Sequence, residues 1–121
     1  MIEGYIAIAL DDARYLDLAA NMALSVRRLD TRPVSVVVNN AVPVPPAYTK
    51  IFDQIIVAPD DPSIRGAMNK ARLLELTPYD RTMYVDADCL LFNPRIEFFW
   101  KKFAGQPFAV EGHRQSTGAA F

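Results

Sequence analysis

Between Tyr5 and Leu10 the chain reads Tyr-Ile-Ala-Ile-Ala-Leu, six apolar positions with no polar alternate. A strand with one wet face alternates apolar and polar residues. A run without alternation suits a strand covered on both faces, the habit of parallel sheets lined by helices. Asp11 and Asp12 end the run. From Ala13 to Leu29 the apolar residues Tyr15, Leu18, Ala19, Met22, Val26 and Leu29 recur at spacings of three and four. That spacing predicts an amphipathic helix with those side chains inward, Asp11 or Asp12 as its N-cap, and Arg27 and Arg28 near its C-terminus.

Val34 to Val38 is dense in β-branched residues, opened by Pro33 and closed by Asn39-Asn40, and predicts a second strand. Pro43, Pro45 and Pro46 imply an extended loop, followed by a short strand over Gln54 to Val57. Pro59-Asp60-Asp61-Pro62 turns the chain. Gly66 to Leu76 reads as a helix with Ala67, Ala71, Leu74 and Leu73 inward, stopping at Thr77 because Pro78 disfavours helical geometry in its predecessor. Thr82 to Val85 predicts a strand, Arg95 to Phe103 a short aromatic helix, and Pro107 to Val110 a last strand. This alternation predicts an α/β fold: one Rossmann-like domain over residues 1–121, its mostly parallel sheet covered by helices on both faces. A chain of 121 residues is the size of one domain.

Composition narrows the partners. With 13 Lys and Arg against 14 Asp and Glu there is no basic excess to attract a phosphate backbone, so no nucleic-acid partner is expected. No apolar run approaches the roughly 18 to 20 residues of a membrane span, and the start, Met1-Ile2-Glu3-Gly4, lacks the basic region of a secretory signal. A cytoplasmic location is the expectation. Cys89 is the single cysteine, so neither an internal disulfide nor a thiolate zinc cage can form within one chain.

Ligands in parallel α/β sheets sit at the carboxyl ends of strands, where this chain puts acid: after Leu10, and after Val85 as Asp86-Ala87-Asp88. Two carboxylates one residue apart repel unless neutralised. Mg2+ or Mn2+ does this with hard oxygen ligands, taking one or two carboxylates together with substrate phosphates. A solvated turn is the plain alternative.

The stretch from Asn69-Lys70-Ala71-Arg72 through Thr77-Pro78-Tyr79 to Asp86-Ala87-Asp88-Cys89-Leu90-Leu91 resembles the core of GT-A-fold glycosyltransferases, nucleotide-diphospho-sugar transferases. The likeness is greatest to the glycogenin-like retaining family eight and its bacterial relatives. In those enzymes a helix bearing a basic residue leads through a Ser/Thr-Pro-Tyr turn into a strand ending in Asp-x-Asp. Tyr5 to Asp12 and Tyr15 resemble the family's first strand and loop. The resemblance covers nearly the whole chain and implies the donor-binding N-terminal half of a metal-dependent enzyme that transfers a hexose from a UDP-sugar to an acceptor it does not identify.

Residue by residue, the resemblance implies that Asp86 contacts the ribose or the metal and Asp88 ligates the Mn2+ or Mg2+ bridging the two phosphates. Lys70 would reach the diphosphate or sugar, with a solvated helix lysine as its other reading. Ala9, Leu10, Asp12, Tyr15 and Ala87 would line the nucleotide. Tyr15 would stack on the base, or face the core. Arg65 would add charge near the phosphates, or be a surface arginine. The chain departs from the family pattern at Ala9 and Leu10, where threonines are usual, and residues 1–121 do not include the family's acceptor half with its metal-binding histidine. His113 lies too early to be that ligand and reads as a tail histidine. Three other readings compete: a nucleotide-sugar-binding module without catalysis, a haloacid-dehalogenase-like phosphatase, and a non-enzymatic interaction domain. The phosphatase family, however, carries its Asp-x-Asp after the first strand. Trp100, Phe98, Phe99 and Phe103 form an aromatic stripe suited to a core or an interface, and self-association is expected. Cys89 reads as an inert small hydrophobe.

Overall fold

A computed structural model describes residues 1–59 and 72–105. Four strands, β1 (Glu3–Ile8), β2 (Val34–Val38), β3 (Gln54–Val57) and β4 (Arg81–Tyr84), form one all-parallel sheet in the order β3-β2-β1-β4. Among the described residues three α-helices accompany them: α1 (Ala13–Arg27), α2 (Leu73–Leu76) and α3 (Ile96–Lys102). The fold is therefore α/β. β1 pairs on both edges, Tyr5 opposite Val34 on one side and Met83 on the other.

The unalternating run of β1 is explained by its two covered faces. Tyr5, Ala7 and Ala9 join Val34, Val36 and Val38 in the main core, beneath Leu16, Ala19, Met22, Ala23 and Val26 of α1 and Ile96 and Trp100 of α3. Ile6 and Val37 face the other way, where Leu73 and Leu76 of α2 pack. Helical layers thus lie on both sides of the sheet.

Several expected boundaries move. β1 begins at Glu3, because its ladder with β4 starts at the Glu3–Arg81 register. It ends at Ile8, although the Ala9 amide still donates to Val37 (2.8 Å). The N-cap of α1 is Asp12, whose carboxylate accepts from the Arg14 amide at 2.9 Å. The helix ends at Arg27, where the Leu29 and Asp30 amides both turn back to the Val26 carbonyl. Its buried stripe also differs from the spacing argument: Tyr15 and Leu18 are exposed, while Leu16, Ala20 and Ala23 are buried. Alanines at 19, 20 and 23 allow the helix axis to approach the sheet closely, and that close face wins over the one carrying larger side chains. The proline-rich segment holds a 3-10 helix, Pro46–Lys50, rather than remaining extended, since proline suits the first helical position. Strand β4 is displaced by one residue from its expected span, with the Val85 amide still donating to Ile6 (3.0 Å). Of the helix expected over 66–76, only Leu73–Leu76 falls among the described residues as helix. The strand expected over 107–110 lies outside them. The aromatic stripe divides: Trp100 is buried and Phe98 is exposed.

Two packing devices hold the sheet. Tyr79, in the turn before β4, lies flat against Gly4 and its hydroxyl hydrogen-bonds Ser35, a buried polar residue of β2. At the end of the sheet where β1 and β4 begin, Arg32 pairs with Glu3, Asp30 and Glu97 and sits 4.6 Å over the Trp100 ring. Arg81 pairs with Glu3 and donates to the Trp100 carbonyl at 2.7 Å. Trp100 Nε1 donates to the Tyr5 hydroxyl at 2.9 Å, which in turn donates to Asp30. Burial opposes the Asp30 charge, yet the hydrogen bonds from Tyr5 and Arg32 hold its carboxyl below the usual range. Burial, reinforced by Asp30, drives the Tyr5 phenol far above its ordinary value, so it remains a donor.

A methyl group on Gly4 would lie 2.5 Å from a Tyr79 ring carbon, and that ring is fixed by its bond to Ser35. Gly4→Ala is therefore expected to destabilise the protein by about 1–3 kcal/mol through overpacking. Chemical denaturation measures this; a variant as stable as the parent would show that the ring is not held there.

Candidate metal and nucleotide site

In the order β3-β2-β1-β4 the chain steps outward from β1 to β3 and then returns to the opposite side of β1 with β4. The order reverses between β1 and β4, and in open parallel sheets the crevice outside the carboxyl ends at such a reversal is where ligands bind. The acidic segments Asp11-Asp12 and Asp86-Ala87-Asp88 follow those two strands.

Local structure aims the second segment outward. The Ala87 side chain joins the main core, whereas Asp86 and Asp88 on either side of it are exposed. The Cys89 amide donates to the Asp86 carbonyl at 3.0 Å, closing a tight turn. One oxygen each from Asp86 and Asp88, with the Cys89 sulfur, lie within 4.8 Å of one another. The Tyr84 hydroxyl donates to Asp86 Oδ1 at 2.7 Å. Burial first, then the hydrogen bond to Asp86 and the charge of Asp88, push the Tyr84 phenol far above its ordinary value. It therefore keeps its proton, and its role as a donor, throughout the neutral range.

The donor set fits a hard divalent cation. Two exposed carboxylates would supply oxygen ligands of the kind Mg2+ or Mn2+ prefers, alongside water and phosphate oxygens. Cys89 does not behave as the inert core residue expected: it is exposed, because β4 ends five residues before it. Burial of the sulfur and the neighbouring Asp88 and Asp86 raise its thiol above the ordinary range, so at neutral pH it is not a thiolate.

The first loop is built differently from expectation. Asp11 adopts φ 71°, a left-handed conformation rare outside glycine, asparagine and aspartate. Its amide donates to Asn39 Oδ1 at 3.2 Å and its carboxylate accepts from Asn39 Nδ2 at 2.7 Å, lacing together the ends of β1 and β2. Asp12 is engaged by the start of α1 and by Arg14 Nη2 at 2.8 Å, and the hydrogen bonds from Arg14 hold its carboxyl below the usual range. Ala9 is fully enclosed in the main core and offers no surface to a nucleotide; Leu10 packs on the second core. Tyr15, half exposed one turn into α1, does not face the core. Lys70, Arg65 and His113 lie outside the described residues.

Tyr84, Asn39 and Ser25 escape the reading of the sequence. Tyr84 left a signal: at two residues before Asp86 it shares a strand face with it. Asn39 and Ser25 are joined to the site only by the fold. No protein-family model matches the chain, and no curated protein matches it in sequence.

Tyr84→Phe removes the donor that orients Asp86 and is expected to weaken Mn2+ binding roughly tenfold, the usual scale for a partner of a metal ligand. Titration followed by the Mn2+ electron-spin signal reads the affinity. A variant binding as tightly as the parent would free Asp86 from any dependence on that phenol.

Proposed function

We propose that this chain is the donor-binding domain of a metal-dependent glycosyltransferase of the GT-A type, transferring a hexose from a UDP-sugar to an acceptor. The observation that carries the reading is the exposed Asp86/Asp88 pair at the strand-order reversal between β1 and β4. The resemblance of residues 69–91 to family eight supplies the substrate class. Asp86 and Asp88 would hold Mn2+ or Mg2+, which when bound supplies Lewis acidity toward the leaving diphosphate. Tyr84 holds Asp86 in place through its hydroxyl. Tyr15 offers an exposed ring for stacking on the base, and Lys70 and Arg65 would supply cationic charge to the phosphates.

A binding module without catalysis would share this donor site and differ only in leaving the sugar-nucleotide intact, so donor hydrolysis or transfer separates the two. A haloacid-dehalogenase-like phosphatase fits less well, because its Asp-x-Asp belongs after the first strand and here it follows β4. Among the described residues no helix is long and apolar enough to cross a membrane. A cytoplasmic setting belongs to the proposal, as does self-association through Leu90, Phe92 and Phe98, whose apolar surface is exposed.

Thermal unfolding with UDP and Mn2+ tests the donor site. Together, at 100 times the dissociation constant, they are expected to add about 2.7 kcal/mol of stability. Asp86→Ala combined with Asp88→Ala should abolish the metal-dependent share; an undiminished gain in that variant would sink the reading. For self-association, sedimentation equilibrium should report a dimer that Phe92→Ser weakens, and a parent protein monomeric at all concentrations would exclude it.

A further inference from the structure

We infer that Ser25, in the last turn of α1, is a positioning residue for the carboxylate loop. Its hydroxyl donates to the Met22 carbonyl at 2.6 Å and accepts from the Leu91 amide at 2.9 Å, bridging residues 66 apart in sequence. The residues between β4 and α3 have no regular secondary structure of their own. Two anchors hold the carboxylate segment: Ala87 buried in the main core, and Leu91 packed against the same core and tied to α1 through Ser25. Asp88 lies between these anchors and Asp86 directly before the first.

The bond to Met22 fixes which way the hydroxyl points. With its proton committed to that carbonyl, the oxygen presents lone pairs to the loop and serves Leu91 as an acceptor. α1 is itself seated on β1 and β2 by six buried side chains, so the acceptor belongs to a rigid element. Ligands held on a loop bind a cation well only when the loop is preorganised by such a support. Removing Ser25 leaves the Leu91 amide without this acceptor and loosens one end of the segment carrying Asp88.

The inference rests on the cation reading of Asp86 and Asp88, and the test separates the two. Ser25→Ala, Ser25→Thr, Tyr48→Phe and Asp86→Asn/Asp88→Asn are compared in Mn2+ affinity, melting temperature and hydrogen exchange of the Leu91 amide. Tyr48→Phe deletes a hydrogen bond from Tyr48 to Asp17 of α1, remote in sequence from the carboxylate loop, and controls for destabilisation of the helix. Ser25→Ala should bind Mn2+ roughly tenfold more weakly and exchange Leu91 at least tenfold faster. Ser25→Thr, which keeps the acceptor, should restore both, and Tyr48→Phe should change neither. Wild-type affinity and Leu91 protection in Ser25→Ala would overturn the role of Ser25 alone. Unchanged affinity in the double asparagine variant would overturn the cation reading and this inference with it.

Discussion

Strand β1 is hydrogen-bonded along both edges and covered on both faces, and the rest of the molecule is arranged around that enclosure. From Tyr5 on, its odd-numbered residues Tyr5 and Ala7 enter one core and its even-numbered residues Ile6 and Ile8 the other. Gly4 accepts the Tyr79 ring on one face, while Tyr5 meets Trp100 edge-on at 5.4 Å on the opposite face. A strand in this position has no polar face to give to water. Its backbone polar groups are spent on β2 and β4, and its two polar side chains, Glu3 and Tyr5, are tied into the charged cluster at its start.

The two ends of the sheet handle charge in opposite ways. Where β1 and β4 begin, Arg32 and Arg81 draw Glu3, Asp30 and Glu97 into a partly buried cluster closed by Trp100 and Tyr5. The hydrogen bond that Arg32 donates to Glu97 is the largest reason its guanidinium is held so firmly in its charged form. This network also ties α3 to the start of the sheet. At the carboxyl end, Asp86 and Asp88 are turned into solvent and converge on one another. The first arrangement is a structural joint, because each of its charges has an oppositely charged partner within the protein. The second concentrates like charge where a ligand can reach it.

Legibility in the sequence followed the strength of the local signal. β2 and β3 stand at their expected residues because β-branched density and flanking proline and asparagine delimit them locally. The existence of α1 was equally legible, but its buried face was not. Periodicity marks several stripes on a helix rich in apolar residues, and only the fit of Ala19, Ala20 and Ala23 against the sheet selects one. The 3-10 helix was hidden because three prolines favour extension as readily as the first position of a helix. Within the site, Asp86 and Asp88 announced themselves as an acidic pair after a strand, whereas Asn39 and Ser25 carry no mark apart from the tertiary contacts they make.

The sequence by itself determined the fold class, the alternation of strands and helices, and the acidic pair at the end of a strand. These depend on side-chain type and near-neighbour spacing. The tertiary structure alone decided the strand order, which brings β4 beside β1 and the acidic turn to the reversal point. It also decided which aspartate caps α1, which aromatic rings are buried, and which hydroxyl steadies the carboxylate loop. Those outcomes depend on shape-fitting and hydrogen-bond partners tens of residues away, and no local pattern encodes such partners.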